Sequence, residues 1–356
     1  MKRKNLFLVV LILIMLGAIV LNLPPIKEKI SWRIDELNTR IFYILNPPEA
    51  VVFVPEGSSL TSTKTVQDIS PTPDVSPTIQ PTIETQTPEP TSPPTPEPTP
   101  LPPAVSLKGV RYMDQHGAFN YCAPANLAME LSYWGWGGNR EDTGKYLKPN
   151  PEDYNVMLYE MASYVRENTN LFVTLRYGGT LTLLKQLIAA GYPILIEKGT
   201  YIRDLNGKVS WMGHYNVVTG YDDAAQQIIV QDSYFKPNFT VKYDLLIQEW
   251  RSFNYGFLVV YPPEKEAALM ALLGDYAGET QSNQKAADLA SVEAGSLSGV
   301  DQYFALFNRG TSLVALQDYN GAAGVYDQAF SLYPSLPEAK RPFRMMWYQT
   351  GPYFAY

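Results

Sequence analysis

The sequence predicts an α+β domain set between an N-terminal proline-rich spacer and a C-terminal all-α region, and three observations predict it. Thirteen prolines fall between Pro71 and Pro103, where almost no aliphatic side chains remain. From residue 104 to about 262, apolar residues alternate between helical and strand periods, the mixture an α+β domain requires. Beyond Pro262-Pro263 the chain turns to Ala, Leu, Gln and Glu at helical spacing. At 356 residues the chain has room for two domains plus a linker.

The N-terminal part reads in three steps. Residues Leu6 to Leu21 form an apolar run behind Lys2-Arg3-Lys4, and with its flanks it barely reaches a hydrocarbon core of ~30 Å. No small-x-small cleavage pattern follows, so residues 1–25 are expected to be an uncleaved signal anchor. Its basic residues would keep the N-terminus in the cytoplasm and send the rest of the chain to the extracytoplasmic side. Over residues 26–56, Ile26, Ile30, Ile34, Leu37, Ile41 and Leu45 recur at three- and four-residue steps, which predicts a juxtamembrane helix ended by Asn46-Pro47-Pro48. Residues 57–103 cannot form a core. Their prolines favour polyproline II, a semi-rigid spacer whose proline-dense part alone extends roughly 100 Å at ~3.1 Å per residue.

Within residues 104–263, helices are expected at Pro124–Trp134, 153–167 and Thr180–Ala190, closed by glycines at 135, 137, 138 and 191. Tyr192–Glu197, His214–Tyr221, Gln227–Asp232 and Phe257–Tyr261 read as strands. The polar stretch Gly199–Met212 reads as a surface hairpin around Asn206-Gly207 or a loop bordering a cleft. Trp134 and Trp136 are expected at the core edge, with a substrate groove as the alternative. In residues 264–356, Asn308-Arg309-Gly310, Leu313, Asp318-Tyr319, Ala322, Tyr326, Ala329 and Pro334 match one tetratricopeptide-like repeat over 303–336. One repeat cannot bury its own faces, so it needs neighbouring helices or the preceding domain, and it offers a surface for a protein partner.

A net charge of −7, with no basic tract beyond the first four residues, argues against a nucleic-acid partner. One cysteine and two histidines at separate places do not supply a metal-ligand cluster, and no cofactor is implied.

The chemistry gathers on that single cysteine. Cys122 lies two residues before Pro124, at the start of an expected helix, and a helix N-terminus stabilises a thiolate. Gln115, seven residues earlier, is placed to set its amide beside the Cys122 N–H as a pair of oxyanion donors. His116 is too near in sequence to line up with the thiol, which leaves His214 as the base. An antiparallel turn over 222–226 would bring Asp232 back to His214 to fix the imidazole tautomer. Asp222 and Asp223 compete for that role.

The blocks Gln115…Cys122-Ala-Pro-Ala-Asn-Leu-Ala-Met129, Gly213-His-Tyr-Asn-Val-Val-Thr-Gly-Tyr-Asp222 and Gln231-Asp-Ser-Tyr234 resemble those of the C39-like cysteine peptidases of the papain-like superfamily. The resemblance covers about residues 107–262. Ala123 stands where a glycine is common, and Gln115 is one residue further from the cysteine than usual. The resemblance implies a papain-like fold with Cys122 as nucleophile, His214 as base and then acid, Asp232 as orienting carboxylate and Gln115 as oxyanion donor. It implies a peptide or protein substrate. Two other readings stand beside it: an inert papain-like shell that binds or scaffolds, and an amidase or endopeptidase acting on cell-wall peptides.

Overall fold

Seven antiparallel strands carry helices on both faces in the computed structural model, which describes residues 100–356 apart from residues 119, 151, 152, 154 and 204–208 and the side chains of residues 202–210. The expected anchor, juxtamembrane helix and nearly all of the spacer lie outside the described residues. Among the described residues, no helix is long and apolar enough to cross a membrane.

The strands are β1 (Ala104–Ser106), β2 (Phe172–Arg176), β3 (Ile194–Arg203), β4 (Val209–Asp222), β5 (Gln227–Asp232), β6 (Lys236–Lys242) and β7 (Phe257–Tyr261), in the order β2-β7-β3-β4-β5-β6. β4 is the longest. β3 pairs with it from Val209 to Val218, and β1 takes over the same edge from Gly220 to Asp222. That takeover requires glycine, because a Cβ at Gly220 would stand 2.5 Å from the Val105 carbonyl oxygen.

One face of the sheet packs Ile194, Ile196, Val218, Ile228, Val230, Phe257 and Val259 under α4 (Leu181–Ala189) and α5 (Tyr243–Arg251). The other packs Leu195, Tyr215, Leu258 and Val260 under α1 (Cys122–Tyr133) and α3 (Leu158–Asn168), with α2 (Arg140–Leu147) against α1. α1 is buried along most of its length, which explains its run of small and apolar residues.

The expected strands at Gln227–Asp232 and Phe257–Tyr261 have those bounds in the structure. The strand expected from His214 starts five residues earlier, at Val209. The polar stretch before it belongs to the far end of the β3–β4 pair, where Arg203 pairs with Val209; residues 204–208 lie outside the described residues. It is not wholly a surface hairpin, since Trp211 is fully buried. β1, β2, β6, α2 and α5 were not marked in the sequence. Trp134 packs on both cores beside Tyr192, and Trp136 meets the Tyr164 ring edge-on, so both serve the core edge.

The C-terminal region is helical as expected: α6 (Glu266–Leu273), α7 (Glu279–Ser296), α8 (Gly299–Ala315), α9 (Tyr319–Leu332), α10 (Met345–Tyr348) and α11 (Pro352–Ala355). Gly310 lets α8 approach the Tyr326 ring of α9, and Ala322 and Ala329 are fully buried in the seam. This region does not close its own core. Tyr303, Phe304, Phe307 and Tyr326 share one cluster with Trp211 of β4 and Phe253 of the preceding domain. Polar ties hold the same joint: Arg251 pairs with Glu293 at 3.0 Å and Asp301 at 3.1 Å, and Asn254 Nδ2 donates to Ser312 Oγ at 2.9 Å.

Candidate active site

Cys122 is the first residue of α1, a helix whose N-cap residue, Tyr121, makes no side-chain capping bond and whose first turn holds no acidic side chain. Cys122 therefore sits at the positive end of the helix dipole, with no side chain competing for the first N–H groups. Lys148 adds a cation coupled to Cys122, although burial lowers its pKa; its Nζ lies 3.5 Å from the Asn120 carbonyl oxygen.

His214 and Asn216 share one face of β4, two residues apart. Val217 pairs with Gln231 in the β4–β5 register, so the next step sets Asn216 opposite Asp232 and His214 on the diagonal. The side chains close that diagonal. His214 Nε2 lies 2.9 Å from Asp232 Oδ1, and Asn216 Nδ2 donates to Asp232 Oδ2 at 2.8 Å. With Nε2 engaged there, the other ring nitrogen remains for the Cys122 thiol, whose influence helps to raise the His214 pKa.

Burial works to lower the His214 pKa, but the Asp232 charge and hydrogen bond, together with the Cys122 contact, push it up to about 9. Burial likewise opposes ionisation of Asp232. His214, Asn216 and the Phe235 N–H outweigh it and hold the carboxyl well below the usual carboxylate range. Tyr234 N and Phe235 N both donate to Asp232 Oδ1, at 2.9 and 3.1 Å, tying the start of the β5–β6 turn to the same carboxylate.

Gln115 is brought to the site by backbone and side chain together. Its N–H donates to the Ser233 carbonyl at 2.9 Å, and its Oε1 accepts from Ser233 Oγ at 2.7 Å. Asn126 Nδ2 in turn donates to Ser233 Oγ at 2.8 Å and to the Cys122 carbonyl at 2.9 Å. Since Oε1 is committed, the amide end left for a substrate oxygen is Nε2.

The competing candidates are engaged elsewhere. His116 Nδ1 sits 2.8 Å from Asp114, Asp223 binds Lys185 at 2.7 Å, and Asp222 accepts from Ala225 N at 3.0 Å. Among the described residues, no group of three or more His, Cys, Asp or Glu is placed to hold a metal ion.

Five further residues bear on the site. Asn216 and Asn126 were findable by periodicity, one two residues from His214 on a strand and one four residues from Cys122 on a helix. Ser233 lies inside a quoted motif but had no assigned role. Glu197 and Lys148 carried no local signal. Burial pushes the Glu197 carboxyl well above its ordinary pKa. Kept protonated, it adds no negative charge beside Sγ.

A thiol, an imidazole and a carboxylate thus stand in line where a helix N-terminus meets an antiparallel sheet. Residues 107–256, under half of the chain, match the model of the Peptidase_C39 like family. The chain is similar to three solved structures. A putative C39-like peptidase from Bacillus anthracis is 18% identical, with 44% of this chain and 96% of that one covered and a TM-score of 0.37. Xylellain, a cysteine protease from Xylella fastidiosa, is 14% identical, with 46% and 87% covered and a TM-score of 0.34. A double glycine motif protease from an AMS/PCAT transporter, in complex with its leader peptide, is 15% identical, with 44% and 98% covered and a TM-score of 0.31. A search of curated proteins gave no match.

Proposed function

We propose that the chain is a membrane-anchored, extracytoplasmic cysteine peptidase that hydrolyses peptide bonds through Cys122, His214 and Asp232. The observation that carries this reading is the 2.9 Å bond of His214 Nε2 to a buried carboxylate, with the Cys122 thiol at the head of α1 acting on the same imidazole.

In the first step Sγ, its proton held by His214, attacks the scissile carbonyl carbon. The negative charge that develops on the carbonyl oxygen is met by the Cys122 N–H and Gln115 Nε2. His214 then gives its proton to the leaving amine, the C–N bond breaks and a thioester remains. Water attacks the thioester while His214 takes its proton, and collapse releases the acid and restores the Cys122–His214 pair. Asp232 stays ionised throughout, and its charge favours the imidazolium.

The anchored, outward-facing placement rests on the apolar run Leu6–Leu21 behind three basic residues and on the proline-rich spacer. It is tested by protease shaving of intact cells, with loss of the folded domain expected and full protection counting against it.

The activity is tested by Cys122→Ala against a peptide library. Turnover is expected to disappear while the thermal melt is nearly unchanged. Full activity in this variant would overturn the reading, and a wild-type protein silent on every peptide would leave an inert binding shell in its place.

A further inference from the structure

The C-terminal segment from Arg341 to Gln349, containing α10, crosses one end of the cleft that opens on Cys122. The cleft is lined by Asn120, Cys122 and Ala123 on one side, Asn155 and Val156 on a second, and Met212, Gly213 and Tyr215 of β4 on a third, with Arg344, Trp347 and Tyr348 spanning them. The span is fastened at both walls. Asn155 Nδ2 donates to the Trp347 carbonyl at 3.0 Å, and Arg344 Nη1 donates to the Trp211 carbonyl at 3.2 Å. Gln349 Nε2 donates to the Ser252 carbonyl at 2.7 Å. Tyr348 packs edge-on against Trp211 and Phe253, so close to β4 that a Cβ at Gly213 would lie 2.9 Å from its ring. An extended polypeptide cannot thread past such a bridge.

The blind end lies on a definite side of the thiol. Its lining includes neither His214 nor Gln115, Asp232 or Ser233. The leaving amine must reach His214 to be protonated, and the neighbouring ring there, Tyr234, is exposed. The leaving-group side is therefore open, and the closed end holds the acyl portion of the substrate. We infer that this bridge makes the site specific for substrates with a short acyl portion, one or two residues ahead of the scissile bond, and that Trp347 and Tyr348 are the residues setting that limit. The inference rests on the peptidase reading of the same site.

The experiment is a length series of fluorogenic peptides sharing one leaving side and carrying one, two, three or five residues on the acyl side, run on the full chain. A fall in kcat/KM of tenfold or more beyond two residues is expected, and a flat series overturns the inference. In Trp347→Ala, which keeps the backbone carbonyl that Asn155 holds, the ratio of five-residue to two-residue turnover is expected to rise at least tenfold. If Asn155→Ala raises turnover equally at every length, the segment is a plug and not a length-setting wall, and the inference fails. Should Trp347→Ala not fold, the wild-type series decides alone. If no peptide of any length is cleaved and Cys122 stays unlabelled by a thiol-directed alkylating probe, the peptidase reading itself has failed, a result distinct from a flat series.

Discussion

The two halves of β4 are supported in different ways. From Val217 to Asp222 the strand lies inside its own sheet, with β3 or β1 on one edge and β5 on the other. From Val209 to Asn216 it pairs with β3, has no partner in the β5 register, and buries Trp211 against Phe253, Phe304 and Tyr348, two of which come from the C-terminal region. His214 sits close to the junction, and its side chain reaches β5 through Asp232. The catalytic imidazole of the proposed mechanism is thus held on one side by the sheet and on the other by a strand end that the returning helices help to cover.

The sharpest way to break this arrangement is Trp211→Ala. Removing a fully buried indole costs about 3–5 kcal/mol. A melt that loses stability together with activity is expected, and an unchanged melt would show that the helices do not support the strand. Next is Gln115→Ala, which belongs to the well-supported side. It should lower kcat by about 10²–10³ with little change in the melt, as for loss of one oxyanion donor.

Asp232→Asn probes the junction itself. His214 is raised to about 9 from 6.5, so the imidazolium and the stability it contributes persist below 6.5 and are lost as pH rises through about 9. The alkaline limb of the activity profile should then lie near pH 9 in the wild type and move to lower pH in the variant. An unmoved limb would detach His214 from Asp232 electrostatically. The smallest effect is expected from Glu197→Gln, since burial already keeps that carboxyl neutral. A change in kcat/KM below about threefold near pH 7 is expected; a large one would mean that Glu197 acts as a charge.

The same contrast explains what was legible in the sequence. Cys122 before Pro124, His214 after Gly213 and Asp232 one strand later were readable because helix starts and strand turns are local and these residues stand at them. The helical character of residues 264–356 and the core-edge places of Trp134 and Trp136 were readable for the same reason. The start of β4 was not, because its burial is supplied by residues about a hundred positions further on. Ser233 escaped because its role is to bridge Gln115 and Asn126, which are themselves distant from it in the chain. The bridge at Arg344–Gln349 gave no signal, since a four-residue helix has too little length for periodicity and its partners are on other elements.

The hydrogen bond between Asn155 and the Trp347 carbonyl joins residues 192 positions apart. During synthesis at ~5–20 residues per second, roughly 10–40 s separate the emergence of these two residues. Cys122, His214 and Asp232 all leave the ribosome before Trp347 does. The wall at the blind end of the cleft is therefore the last part of the site to be made, and until it arrives the newly made domain carries Trp211 and Phe253 without the cover that Phe304 and Tyr348 later provide.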